Sequence, residues 1–152
     1  MQHMLSLEEL NLKANAIRQD IIKMLEHAGS GHSAGPLGLA DIFTALYFDI
    51  LKHDPKNPDW DERDMLLQSN GHTCPVRYAT MAHAGYFDRK ELLTLRKFGS
   101  RLQGHPERTK LPGLENTSGP LVVSSPGNRT RSGWPCKREP SWRSVSNSSF
   151  GK

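Results

Sequence analysis

A chain of 152 residues has room for one domain, and its formal net charge of +4 lies almost entirely in its tail. Residues 122–152 hold six basic residues and one acidic residue, whereas the residues before them carry a formal charge of −1. That near-neutral body excludes a domain built around a basic nucleic-acid surface, so we expect no nucleic-acid partner. The tail contains no aromatic-basic motif of a known module, and we interpret it as an unstructured cationic end.

Cysteine content and hydropathy exclude two further classes of protein. The two cysteines, Cys74 and Cys136, form no CxxC pair, so the sequence indicates neither a disulfide framework nor a zinc site. The N-terminus lacks the apolar core of a signal peptide, and no apolar run reaches membrane-spanning length. We therefore expect a cytoplasmic protein that does not enter a membrane.

The first predicted element is an amphipathic helix that begins after Ser6 and ends at Gly29. Apolar residues recur over this stretch at alternating spacings of three and four, which places them on one helix face. Ser6 and Glu9 match a capping box, and glycine is a common helix stop. A glycine-rich loop, GSGHSAGPLG, follows over residues 29–38, where the backbone can approach another group closely.

A buried helix and a buried strand are predicted next. Residues 39–51, LADIFTALYFDIL, are apolar on most sides, which is typical of a helix packed between other elements. A polar, proline-containing loop follows. Residues 64–70, DMLLQSN, are a short apolar run that ends in polar residues before Gly71, and they predict a strand that delivers a loop.

Two shorter helices and a long loop complete the pattern. Residues 74–85 predict a helix with Pro75 in its first turn, and residues 88–99 predict a helix capped by Asp88. Residues 100–121 are rich in glycine and proline and predict a loop. The alternation of strand and helix indicates an α/β fold with a parallel sheet and flanking helices. Only one strand is predicted, so we expect this fold to be incomplete.

Three histidines each follow a glycine in a predicted loop: Gly31-His32, Gly71-His72 and Gly104-His105. Glycine permits close backbone approach, and histidine near neutral pH can donate, accept or shuttle a proton. Because ligands bind at the carboxyl ends of parallel strands, the three pairs are candidates for a pocket that holds a polyhydroxylated or phosphorylated molecule. Spacing alone nevertheless favours three unrelated loop dipeptides over a shared pocket. A zinc site is favoured even less than the pocket, because the three histidines lack the usual spacing of zinc ligands.

Three blocks of the sequence resemble the amino-terminal part of transketolase: GSGHSAGPLGLADIFTALYFDIL, LQSNGHTCPVRYATMAHAGYF and LQGHPERTKLPGLENTSGPL. They follow the family's order, and the resemblance covers residues 6–121, about four-fifths of the chain. The closest form is the separate N-terminal subunit of transketolases that are split into two chains. Three ordered blocks are specific enough to favour a shared site for the glycine-histidine pairs.

The resemblance implies an activity, a cofactor and a set of site residues. Transketolases use thiamine diphosphate and a divalent metal, Mg²⁺ or Ca²⁺, to move a two-carbon ketol unit from a ketose phosphate to an aldose phosphate. By motif, His32 would contact substrate hydroxyls, His72 the cofactor diphosphate, and His105 the donor sugar. Gly119 and Leu121, in the GPL block, would line the cofactor. The family's site forms between subunits, which implies a C-terminal partner subunit and a homo- or hetero-oligomer.

The resemblance stops after Leu121, before the part of the family that holds the metal. The family continues towards a Gly-Asp-Gly motif, but this chain has no aspartate after Asp88 and so lacks that metal ligand. Residues 122–152 have no hydrophobic period, and our hypothesis is that a reading-frame shift replaced the metal-binding half of the domain. We therefore expect the chain alone to fold poorly and to show little or no transketolase activity.

Two other functions are open at this point. One is a non-catalytic product whose basic Ser/Arg-rich tail binds acidic partners weakly, with a salt dependence that vanishes when residues 122–152 are deleted. The other is a different thiamine-diphosphate enzyme, such as a deoxyxylulose-phosphate synthase. The GHPE and ENTSGPL blocks favour transketolase over that enzyme.

Overall fold

The computed structural model describes residues 5–119, and the predictions for Leu121 and residues 122–152 lie outside them. The α-helices, in chain order, are α1 (Leu7–Ala28), α2 (Ala34–Gly38), α3 (Ala40–Ala45) and α4 (Cys74–Ala84). The other helical segments are a π-helical turn (Leu46–Ile50) and two 3₁₀ helices (Gly71–Thr73 and Arg89–Thr94). No helix in this described part is long and apolar enough to cross a membrane.

Helix α1 confirms the first prediction at both of its ends. Ser6 Oγ accepts a hydrogen bond from the Glu9 backbone N–H, and the Glu9 carboxylate accepts one from the Ser6 N–H. At the other end Gly29 has a φ of 67°, a left-handed conformation that favours glycine. The buried apolar members of the stripe are Ala14, Ile17, Ile21 and Met24.

Helix α4 is the centre of the core, since nine of its 11 residues are buried. It packs against α1, against α3 and against the 3₁₀ helix that follows it. Pro75 lies in the first turn, as predicted, where its missing N–H costs no helical hydrogen bond. The buried Arg77 donates to the carbonyl oxygens of Leu66 and Gly113, at 2.9 and 3.2 Å. These two bonds attach α4 to segments far from it in the sequence.

The described residues contain no β-strand, so the strand predicted at residues 64–70 is not formed in this structure. A strand needs backbone partners from a neighbouring strand. Here the side chain of Asn116 takes that place, because its Oδ1 accepts from the Gln68 N–H at 3.1 Å and its Nδ2 donates to the Gln68 carbonyl at 3.0 Å. The predicted parallel sheet is therefore not part of the described structure.

Three other predictions differ from the structure in detail. Residues 34–38 of the predicted glycine-rich loop form α2, and the predicted helix at residues 39–51 is α3 extended by the π-helical turn. The predicted helix at residues 88–99 is a shorter 3₁₀ helix. It ends at Thr94, because Leu95 has an extended ψ of 128°, and Arg96 follows with a φ of 61°. Helical propensity alone does not distinguish α, 3₁₀ and π hydrogen bonding.

A buried carboxylate joins three elements of the core. The Oδ2 atom of Asp20, in α1, accepts a hydrogen bond from His83 Nε2, in α4, at 2.8 Å. It also accepts from Arg89 Nε and Nη2, at 3.0 and 2.7 Å. Burial lowers the pKa of His83, and this effect outweighs the opposing hydrogen bond to Asp20. The folded chain therefore favours the neutral imidazole.

Lowering the pH should destabilise the fold through His83. A histidine whose pKa is lower in the folded chain contributes full stability above its ordinary value of 6.5, and that contribution is lost as the pH falls. We expect the melting temperature to fall from about pH 7.5 to about pH 5.5, and to fall less in His83→Gln. His27→Gln, which removes an exposed histidine, is the control. Equal pH dependence in the two variants would contradict this role of His83.

Asn116→Ala should destabilise the chain, because it removes the partners of both backbone groups of Gln68. A buried polar group without a partner costs about 1–3 kcal/mol. We expect the free energy of unfolding, measured by urea denaturation, to fall by about 2 kcal/mol. The matched control is Asn15→Ala at an exposed position of α1. A loss no larger than that of the control would show that these bonds do not stabilise the fold.

Candidate functional site

The three glycine-histidine loops converge in the structure. The ring centroids of His32 and His72 lie 4.5 Å apart, and those of His72 and His105 lie 5.2 Å apart. Both pairs meet edge to face, with an interplanar angle of 83°. Spacing alone favoured three unrelated loops, but the structure brings the three side chains into one cluster. We call this cluster the histidine site.

His32 reaches the histidine site because the chain turns sharply after α1. Gly31 has a φ of 132°, and a Cβ atom there would collide with Leu25 Cδ2. Glycine is therefore required at the turn. A Cβ atom at Gly35, in α2, would lie 2.9 Å from Thr73 Cγ2. The loop and α2 thus lie directly beside the turn that contains His72.

His72 lies in the 3₁₀ turn that leads into α4, and polar side chains hold this turn on its N-terminal side. Asn70 Oδ1 accepts from the His72 backbone N–H at 3.2 Å. The Asn70 carbonyl accepts from Thr73 Oγ1 at 2.8 Å and from Gln68 Nε2 at 3.3 Å. The backbone around His72 is therefore fixed by hydrogen bonds rather than left as a free loop.

Side chains of α4 hold the loop that carries His105. Tyr78 OH donates to the Gln103 carbonyl at 3.0 Å, and Cys74 Sγ donates to the Gly104 carbonyl at 3.2 Å. Burial raises the pKa of Cys74 to about 12. The thiol therefore stays protonated and serves as a donor to the loop rather than as a nucleophile.

Gly71 allows the last described residues to approach the histidine site. A Cβ atom at Gly71 would lie 2.9 Å from the Gly119 carbonyl oxygen, 2.9 Å from His105 Cδ2 and 3.0 Å from Ser118 Oγ. Gly119 therefore lies against the site, whereas Leu121 is outside the described residues. The sequence did not single out Ser118, and its only signal was its place in the ENTSGPL block.

Two buried polar atoms of the site, Ser118 Oγ and His105 Nε2, have no hydrogen-bond partner among residues 5–119. An unpaired buried polar group costs about 1–3 kcal/mol, so such atoms fit a polar ligand. Burial lowers the pKa of His105, and the neighbouring charges of His72, Arg96 and His32 lower it further. The neutral imidazole that results can donate or accept a hydrogen bond.

The three imidazoles of the histidine site are not arranged to hold a metal ion. No group of three His, Cys, Asp or Glu side chains in the described part of the chain could hold a metal ion. Mg²⁺ and Ca²⁺ require several oxygen ligands, whereas the site offers imidazoles and one hydroxyl group. It suits a ligand that carries hydroxyl groups or phosphate oxygens.

Known proteins with similar sequences include several transketolases. The family model described as "Transketolase, thiamine diphosphate binding domain" matches residues 10–124. The transketolase of Buchnera aphidicola subsp. Acyrthosiphon pisum (strain APS) is 43% identical over 109 residues, which cover 71% of this chain and 16% of that protein. The chloroplastic transketolase of Spinacia oleracea is 44% identical over 109 residues, which cover 70% of this chain and 15% of that protein.

Solved transketolase structures also match the described fold. The transketolase from Leishmania mexicana superposes with a TM-score of 0.72 at 39% identity, covering 78% of this chain and 18% of that chain. A Pichia stipitis transketolase in complex with sedoheptulose-7-phosphate superposes with a TM-score of 0.70 at 37% identity. That match covers 74% of this chain and 17% of that chain.

The chain spans about one-sixth of the length of the curated relatives it matches, 16% in the first of them. The structural relatives have an α/β fold, whereas the described residues of this chain form helices and irregular segments only. The family model nevertheless covers most of the sequence. The chain therefore belongs to the transketolase family, within the N-terminal thiamine diphosphate binding domain.

Proposed function

We propose that this chain supplies the part of a transketolase active site that contacts thiamine diphosphate and the sugar substrate. The observation that carries the proposal is the convergence of His32, His72 and His105 around Gly71 in a member of this family. The reaction is the transfer of a two-carbon ketol unit from a ketose phosphate to an aldose phosphate. Solved relatives in complex with sedoheptulose-7-phosphate, fructose-6-phosphate and xylulose-5-phosphate support sugar phosphates as its substrates.

Each site residue has a role in this proposal. His72, the middle ring of the cluster, donates a hydrogen bond to the cofactor diphosphate. His32 and His105 flank it and hydrogen-bond the hydroxyl groups of the sugar, where neutral His105 can accept or return a proton. Gly119 and, beyond the described residues, Leu121 line the cofactor. Thiamine diphosphate, when it is bound, would supply a thiazolium carbanion for the reaction.

The histidine site fits the organic cofactor and the sugar, but not the metal. The unpartnered Ser118 Oγ and His105 Nε2 are suited to an oxygen-rich ligand. The Mg²⁺ or Ca²⁺ ion that the family uses finds no ligand set among residues 5–119. We therefore assign no step of the reaction to a metal held by these residues.

We also propose that residues 64–70 join a parallel sheet when the rest of a transketolase is present. Met65 and Leu67 are alternate residues of this segment, and they are 50% and 66% exposed. Apolar residues at alternate positions are typical of a strand face that another element covers. A C-terminal subunit or a second copy of the chain completes the site in this proposal, and ketol transfer by the chain alone is weak.

Binding of thiamine diphosphate to the full 152-residue chain tests the proposed function. Isothermal titration calorimetry with and without Mg²⁺ should give saturable binding. Ketol transfer from xylulose-5-phosphate is then measured after a transketolase C-terminal subunit is added. No binding by a chain that shows helical circular dichroism and a cooperative melting transition would contradict the proposal.

Gly71→Ala should weaken binding of thiamine diphosphate roughly tenfold or more, because the added methyl group displaces the backbone of Gly119. Gly38→Ala is the matched control, since a Cβ atom at Gly38 would meet no atom within 4 Å. The control should bind as the wild type does. Equal binding by both variants would show that close packing at Gly71 is not needed for the site.

The tail is the basis of the second candidate function. Residues 122–152 carry a formal charge of +5, which favours weak binding to acidic partners.

The family match ends at residue 124, and the frame-shift hypothesis stays a prediction. A verified nucleotide sequence in which another frame continues to Gly-Asp-Gly would support it, whereas no family-like continuation in any frame would contradict it. A cytoplasmic location stays part of the proposal, although some relatives are chloroplastic.

A further inference from the structure

Arg96 is the one non-glycine residue of the described chain with a positive φ, which is 61°. An L-residue in this left-handed conformation is strained, so surrounding contacts have to hold it. One of them is the hydrogen bond from the Arg96 N–H to the Leu102 carbonyl at 3.0 Å, which closes the turn before the His105 loop. Backbone strain of this kind is concentrated at functional sites.

The guanidinium group of Arg96 occupies the space beside Gly104 where a side chain would begin. A Cβ atom at Gly104 would lie 2.8 Å from Arg96 Nε and 3.1 Å from both Cζ and Nη2. These three atoms belong to one planar group, which fills the position that a side chain at Gly104 would occupy. Because Gly104 directly precedes His105, the guanidinium packs on the backbone that carries this ring.

The same guanidinium group contacts the loop that carries His32. Arg96 Nη1 donates to Ser30 Oγ at 3.2 Å, and Ser30 lies two residues before His32. The neighbouring Lys97 makes a different contact, since its Nζ donates to the His27 carbonyl at 3.1 Å. Lys97 therefore attaches the turn to the end of α1, whereas Arg96 attaches it to the histidine site.

We propose that Arg96 is a positioning residue of the histidine site, whose guanidinium group holds the His105 loop against the His32 loop. This inference depends on the proposed function in one respect only, which is the identity of the ligand that the positioned histidines bind. Three titratable or charged groups face His105, namely His72, Arg96 and His32, and after burial they all lower its pKa. An arginine side chain carries a positive charge near neutral pH, so Arg96 adds to the larger effect of burial in lowering the pKa of His105.

NMR of the full chain with isotope-labelled histidine tests the proposal without any ligand. In the wild type we expect cross-peaks between the ring protons of His32 and His72, and a pKa of His105 below its ordinary value of 6.5. Arg96→Gln should lose those cross-peaks and raise the pKa of His105. Lys97→Gln, which removes the neighbouring charge, should match the wild type in both measurements. The proposal is overturned if Arg96→Gln changes them no more than this control does.

Two conservative variants separate the charge of Arg96 from its shape. Arg96→Lys keeps the positive charge but loses the planar group, so the pKa of His105 should stay low while the ring cross-peaks weaken. Ser30→Ala removes only the acceptor and should weaken the same cross-peaks with the His105 pKa unchanged. If Arg96→Gln does not fold, Ser30→Ala carries the test, and wild-type cross-peaks in that variant overturn the proposal.

Binding of thiamine diphosphate distinguishes this inference from the proposed function. If the wild type binds, Arg96→Gln should bind roughly tenfold more weakly, because the histidines are no longer held together. Equal affinity would overturn the role of Arg96. If the wild type does not bind, the proposed function fails, and the histidine cross-peaks and the His105 pKa still decide whether Arg96 positions these rings.

Discussion

Helix α4 is buried on almost every side, so its polar side chains need hydrogen-bond partners in the surrounding loops. Arg77 donates to the carbonyl oxygens of Leu66 and Gly113, and Tyr78 donates to that of Gln103. Each bond joins the helix to a segment without regular secondary structure. In the described part of the chain, the loops of the histidine site are therefore held by a central helix rather than by a sheet.

The glycine before each histidine is required by a tertiary contact. A side chain at Gly31 would collide with a leucine of α1, and one at Gly71 would meet the backbone of Gly119. A side chain at Gly104 would occupy the place of the Arg96 guanidinium group. The three Gly-His dipeptides look alike in the sequence, yet each glycine admits a different neighbour. Together these close approaches bring the three rings into one cluster.

Electrostatics explains why this arrangement suits an anion. Each positive neighbour of His105 disfavours its protonation, and burial acts in the same direction. Among the described residues, no carboxylate contributes to the pKa shift of His105. A bound diphosphate would supply the negative charge that the cluster lacks, and charge-assisted hydrogen bonds would then form with its oxygens. An anionic ligand would therefore offset the positive charges that surround His105.

Local signals were enough to predict α1 and α4. The capping box of α1 and Pro75 in the first turn of α4 act within one helical turn, and the apolar stripe of α1 repeats with the helical period. The ordered motif blocks likewise identified the family. Packing decided the rest, because it depends on residues that are far apart in the sequence. Asn116 replaces a strand partner of residues 64–70, and the left-handed Arg96 ends a helix that propensity would have continued. The meeting of the three histidines, and the place of Ser118 beside them, depend on contacts between segments that are far apart in the sequence.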